Sequence, residues 1–240
     1  ITADNGVGPD QPQTLREVPS PPIMVELLDR WATQRKGARV LLVIDVSGSM
    51  KERAGQDSSE TKLDLAKRAA IASLNEFKDD DLVGLTVFST GLGPDGADYT
   101  VDLVPVEPMS ANAEALRREI DGLFPTNGTP LYDVASTSIQ AMYDAFDPSR
   151  INAVVLLTDG KNDDGVLSDD QRQLDDTLAL LRERSQGELG RPVRVFTIGY
   201  GADADLSVLR QIAEATNAAA YNASDPKSIS KVFTAVVSNF

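Results

Sequence analysis

The sequence predicts an α/β fold of the doubly wound kind, a mostly parallel sheet with helices on both faces. Three observations point there. Short, wholly apolar runs rich in Val, Ile and Leu recur along the chain, as strands covered on both faces require. Amphipathic helical segments alternate with them. The length, 240 residues, suits one core with extensions rather than two cores.

Residues 1–22 contain Pro9, Pro12, Pro19, Pro21 and Pro22 with little apolar content, and read as a Pro-rich linker or tail from a preceding domain. Pro22 suits a first helical turn. Met24, Leu27, Leu28 and Trp31 follow at helical spacing up to Gly37, so residues 23–37 are expected to form an amphipathic helix. The main domain then occupies residues 38–240.

Val40–Ile44 is apolar throughout and is expected to be the central strand. Leu63, Ala66, Ala70, Leu74 and Phe77 mark one face of a helix, and Leu82–Phe88 reads as the second strand. Tyr99, Val101 and Leu103 alternate with Thr100 and Asp102 ahead of Pro105, the pattern of a half-exposed edge strand. Leu116, Ile120 and Leu123 predict a helix near 111–122. Pro130 opens another, carrying Leu131, Val134, Ala135 and Met142. Ala153–Thr158 is a fourth, buried strand, Leu174, Leu178 and Leu181 mark a helix, and Val193–Ile198 is a fifth strand. Leu206, Leu209 and Ala213 continue the alternation, and Ala218–Tyr221 is a short last strand. The final helix carries Ile229, Val232, Phe233 and Val236, with Asp225 placed to cap it and Pro226 in its first turn.

Ligands of such sheets gather at the carboxyl ends of strands where strand order reverses. A doubly wound order puts the first and fourth strands side by side there, so the residues that end them are the leading candidates. The first strand runs into Asp45-Val46-Ser47-Gly48-Ser49-Met50, and the fourth into Thr158-Asp159-Gly160. Each feature has an ordinary reading by itself. Asp45, Ser47 and Ser49 could form an Asx or Ser turn, Asp159-Gly160 another turn, and Thr129 before Pro130 a helix N-cap.

Together they give D-x-S-x-S, a Thr in Gly128-Thr129-Pro130, and an Asp closing a buried strand. This combination resembles the metal-ion-dependent adhesion site of von Willebrand factor type A domains, and the likeness in element order covers roughly residues 38–238. The resemblance implies strand order 3-2-1-4-5-6 with strand 3 antiparallel at the edge. It also implies a metal bound by Asp45, Ser47, Ser49, Thr129 and Asp159, the aspartates often acting through water and one position left open for a partner's carboxylate. Because Asp45 and Asp159 are expected in loops above the sheet, their substitution is expected to leave the fold largely intact.

Composition narrows the chemistry. The chain has no Cys and no His, so a metal must be held by oxygen, which favours hard cations. Mg²⁺ is expected, with Mn²⁺ or Ca²⁺ as alternatives. Asp45 and Asp159 supply charge, whereas the hydroxyls of Ser47, Ser49 and Thr129 supply neutral oxygens. A net charge of −14 opposes nucleic-acid binding, and no apolar run approaches the roughly 20 residues that cross a bilayer.

The expected function is cation-dependent recognition of a protein partner that presents Asp or Glu within a basic surround, without catalysis. One rival is a Mg-dependent phosphotransferase or hydrolase using the strand-end Asp45, and another is an adaptor subunit of an ATP-driven metal chelatase. Against an enzyme, the sequence lacks a G-x-x-x-x-G-K-[ST] loop, a G-x-S-x-G elbow and any imidazole base. Residues 21–35 resemble the junction in bacterial surface proteins where a solute-binding domain precedes this module, which implies further amino-terminal domains and an extracellular or cell-surface location. Two segments stay open between readings. Lys51–Thr61 is either a rim of the site or a surface insertion. Asn162, Asp163, Asp164, Asp169 and Asp170 are either a second cation site or a solvated face.

Overall fold

The structure, a computed structural model, describes residues 36–55, 58–94, 96, 98–186, 190–223, 225 and 228–237, with the backbone of residues 2, 3, 13 and 14. The chain divides into two units, Ile1–Arg35 and Lys36–Phe240. In the first, the described backbone is an antiparallel pairing of Thr2–Ala3 with Gln13–Thr14. The rest of the expected linker lies outside the described residues. So does the expected helix over 23–37, apart from Lys36 and Gly37, which are not helical.

In the second unit the strands are β1 (Ala38–Asp45), β2 (Leu82–Leu92), β3 (Asp98–Pro108), β4 (Ile151–Thr158), β5 (Val193–Tyr200) and β6 (Ala220–Ala223). The helices are α1 (Lys62–Ser73), α2 (Met109–Asp121), α3 (Leu131–Asp144), α4 (Asp170–Gln186), α5 (Leu206–Ala215) and α6 (Ile229–Val237). The sheet order is β3-β2-β1-β4-β5-β6, parallel except for the antiparallel β2–β3 pair. Strand order and the antiparallel edge are as expected.

The period of two along β1 explains the layers. Val40, Leu42 and Ile44 face a core shared with α1, α2 and α6, whereas Leu41 and Val43 face a second core shared with α3, α4 and α5. The central strand is therefore apolar on both sides.

Element ends depart from the expected ones for local reasons. β3 runs through Pro105 to Pro108, which an edge strand tolerates, and its pairing with β2 shifts register between Val83 and Leu85. The Asn112 amide donates to the Val83 and Pro105 carbonyls, at 2.9 and 2.6 Å, beside this irregularity. Pro108 is the N-cap of α2, so that helix starts at Met109 rather than 111. After α5, Asn217 takes a left-handed φ of 54° and Ala218 N bonds back to the Ala213 carbonyl. That turn consumes Ala218 and delays β6 by two residues from its expected start. α6 begins at Ile229, after a turn in which Ser228 N donates to the Asp225 carbonyl, later than an Asp225 cap would place it. Pro226 lies outside the described residues.

β1 and β4 are parallel neighbours, with Ile44 opposite Leu157. The chain leaves β1 toward β2 on one side and leaves β4 toward β5 on the other. Their carboxyl ends therefore flank the crevice where strand order reverses.

Candidate metal centre

Asp45 ends β1 and Asp159 follows β4, and both are 0% exposed. Asp45 Oδ1 accepts from Ser47 N at 2.7 Å, and Oδ2 accepts from Thr158 Oγ1 at 2.6 Å. The ordinary Asx turn is thus present and leaves lone pairs on both oxygens. Burial drives the Asp45 carboxyl up to about 7, against the hydrogen bonds of Ser47 and Thr158, and the nearby Asp159 charge adds to the rise. Ser47 Oγ lies 3.0 Å from Ser49 Oγ, which donates to Asp159 Oδ1 at 2.7 Å. Four of the five expected ligands therefore form one connected set.

Thr129 is the fifth, and its loop is sutured into place. Thr126 N donates to the Val46 carbonyl and Gly48 N to the Asn127 carbonyl, each at 2.6 Å. Ser89 Oγ accepts from Asn127 N, Thr90 Oγ1 accepts from Gly128 N, and Thr129 exchanges two 2.8 Å backbone bonds with Asp163. A Cβ on Gly128 would stand 2.5 Å from the Asp163 carbonyl, so the close approach requires glycine. Pro130, not Thr129, is the N-cap of α3, and no side-chain cap is made. Instead the Thr129 hydroxyl faces Gly160, 3.3 Å from where a Cβ there would lie. Ser49, Thr129 and Asp159 line one cleft of about 600 Å³.

The donor set fits a hard cation. Metal–oxygen bonds of about 2.1 Å place neighbouring ligands of an octahedron about 3 Å apart, the spacing seen between the two serine hydroxyls. Among the described residues no three acidic side chains converge as a metal site. An ion here would rest on two carboxylates and on hydroxyls.

Sequence reasoning missed Lys62. Its Nζ donates to Asp159 Oδ2 and to Glu52 Oε2, both at 2.8 Å, and lies 3.7 Å from Asp203 Oδ2. Lys62 is 5% exposed and opens α1, where the helix dipole disfavours a cation. Burial pulls its ammonium down, but the bonds and charges of Asp159 and Glu52 outweigh that and hold it above its ordinary value. The available signal was a lysine directly after the capping Thr61, where an acid is usual.

The flanking segments also resolve. Arg53 bridges to Thr61 and Lys62 N donates to the Glu52 carbonyl, so the two ends of the segment after β1 are pinned to each other and Glu52 lines the cleft. The acids after β4 are held by their own neighbours: Arg172 pairs with Asp169, Asn162 donates to Asp170, and Gln173 donates to Asp164 and Asp169. Glu52, Asp163, Asp203 and Asp205 make the cleft's rim acidic, with Lys161 among them.

Comparison with known proteins adds the family. The model of the von Willebrand factor type A domain matches residues 40–235. Among solved structures, a von Willebrand factor type A protein from Catenulispora acidiphila is similar with a TM-score of 0.63 at 21% identity, over 84% of this chain and 42% of that one. The pilus adhesin SpaC from Lactobacillus rhamnosus GG is similar with a TM-score of 0.63 at 17% identity, over 86% of this chain and 31% of that one. Manganese-loaded TRAP protein from Plasmodium vivax gives 0.54 at 16% identity, over 83% and 74%. At such identities the structural likeness shows the fold, and this chain spans under half of the first two proteins. No curated protein matches the sequence. With the match spanning nearly all of the second unit, this chain belongs to the von Willebrand factor type A domain family, known for metal-dependent protein interaction and adhesion.

Proposed function

We propose that this domain is a divalent-cation-dependent recognition module with a metal-ion-dependent adhesion site. Asp45, Ser47, Ser49, Thr129 and Asp159 hold one Mg²⁺, or Mn²⁺ or Ca²⁺ in its place, and an Asp or Glu of a protein partner completes the coordination. The observation that carries this reading is the pair of fully buried carboxylates linked to serine hydroxyls at ligand-like spacing, with Ser49, Thr129 and Asp159 of the set lining a cleft. A manganese-loaded structure and a pilus adhesin among the similar proteins support it.

When bound, the ion supplies positive charge and an open coordination position. The protein's part is to keep its own donors electron-poor, since three of the five are neutral hydroxyls. The acidic rim sets the second half of the specificity. With Glu52, Asp163, Asp203 and Asp205 around the cleft and a net charge of −14, a uniformly acidic partner is repelled within a Debye length of about 8 Å. The partner's acid therefore sits in a basic surround. We extend the reading to a domain exposed outside the cell and preceded by further amino-terminal domains. Among the described residues no helix is long and apolar enough to cross a membrane.

Selection from a display library of peptides tests this. Mg²⁺-dependent selection of Asp or Glu peptides flanked by Lys or Arg is expected. Affinity should fall at least tenfold in EDTA, in Asp45→Ala, and when the peptide acid becomes its amide. Association should slow as NaCl rises. Binding that ignores EDTA removes the metal from the reading, and full binding by the amide removes the carboxylate.

A further inference from the structure

Among the described residues Lys62 is the one Lys or Arg that is buried, and a buried ammonium persists only when paired. Its partner of matching burial is Asp159, because the Glu52 side chain is 61% exposed and that of Asp203 76%. The Asp159 carboxylate is divided between two tasks: Oδ1 takes the Ser49 hydroxyl inside the site, and Oδ2 takes Lys62. Among the described residues Asp45 has no such cation and is held by Ser47 and Thr158. One candidate ligand is thus already neutralised from within the chain, and the other is not.

We propose that Lys62 is the site's internal counter-ion, holding Asp159 when no divalent ion is present and opposing that ion when it binds, so that it sets the domain's affinity for divalent cations. The inference rests on the cation site proposed above. An ammonium within hydrogen-bonding distance of a ligand carboxylate repels a cation that shares this carboxylate, and burial leaves the repulsion poorly screened. The other acids near Lys62, Glu52 and Asp203, have largely exposed side chains, so within the buried part of the site the ammonium and the ion share Asp159. A lysine that only stapled α1 to the end of β4 would act differently, because its loss would loosen Asp159 and weaken the ion's hold.

Lys62→Met separates the two roles, keeping the aliphatic stem that packs beneath Gly201 while deleting the charge. Mn²⁺ binding to the full chain is measured by calorimetry at pH 8, with melting in EDTA alongside. Lys62→Met is expected to melt lower than wild type in EDTA, to bind Mn²⁺ at least tenfold more tightly, and to gain more in melting temperature from saturating Mn²⁺. Lys62→Gln, which retains a donor to Asp159, carries the same affinity expectation should the Met variant fail to fold. If wild type binds Mn²⁺ and these variants bind it equally or more weakly, the counter-ion role is overturned and the cation site stands. If wild type binds no Mn²⁺, both fall.

Discussion

Asp45→Asn is expected to raise the melting temperature of the metal-free protein at pH 8, and Asp159→Asn to lower it, although both carboxylates are fully buried. The opposite signs follow from their partners. Asp45 is raised to about 7 in the folded chain, chiefly by burial, so folding favours its protonated form. The sign is therefore the reverse of a salt-bridged carboxylate's. Stability is greatest below the unfolded value near 4, falls as pH climbs to about 7, and above that the charged group costs up to about 4 kcal/mol. Asn abolishes that charge and still offers an acceptor for one of the two bonds, so a gain of about 2 kcal/mol, or roughly 4–8 °C, is expected. Asp159→Asn instead takes away the buried partner of the Lys62 ammonium, leaving it the largely exposed Glu52 and Asp203. Breaking a buried pair outright costs about 3–5 kcal/mol, so a loss of up to that size is expected. Melting curves in EDTA check both variants. Shifts of the same sign would show that Lys62 does not distinguish the two acids.

Divalent-ion binding should weaken about tenfold for each pH unit below about 7 and level off above it, with close to one proton released per ion at low pH. A cation must find Asp45 ionised, and below its raised value the ion has to displace that proton. The chain has no His, so no imidazole clouds this range. Mn²⁺ calorimetry at several pH values, in buffers of different ionisation enthalpy, reads affinity and proton release together. An affinity flat from pH 5 to 8 would remove Asp45 from the site. The same linkage makes metal-induced stabilisation larger at pH 8 than at pH 5.

The sheet was legible because its signal is local. β1, β4 and β5 are apolar runs covered on both faces, and the residue types at the ends of β1 and β4 mark a reversal point. What escaped depends mostly on contacts distant in sequence. The end of β3 reflects its edge position and the Asn112 amide, whereas the start of β6 reflects a local left-handed turn at Asn217, a conformation uncommon outside Gly. Thr158, Ser89 and Thr90 are strand-end hydroxyls whose partners lie 113, 38 and 38 residues away, with no motif to announce them. Lys62 meets its buried partner only because α1 brings it to Asp159, 97 residues away. That contact changes an energetic expectation too, since Asp159 anchors a buried cation and its substitution is not neutral for the fold.

Anomalous diffraction from a crystal grown with Mn²⁺ tests the central claim most directly. The expected map has a single manganese peak at the carboxyl ends of β1 and β4, within coordination distance of the Ser47 and Ser49 hydroxyls and absent in Asp45→Ala. A peak among Asp163, Asp164, Asp169 and Asp170 instead, or a peak at β1 that survives Asp45→Ala, would contradict it.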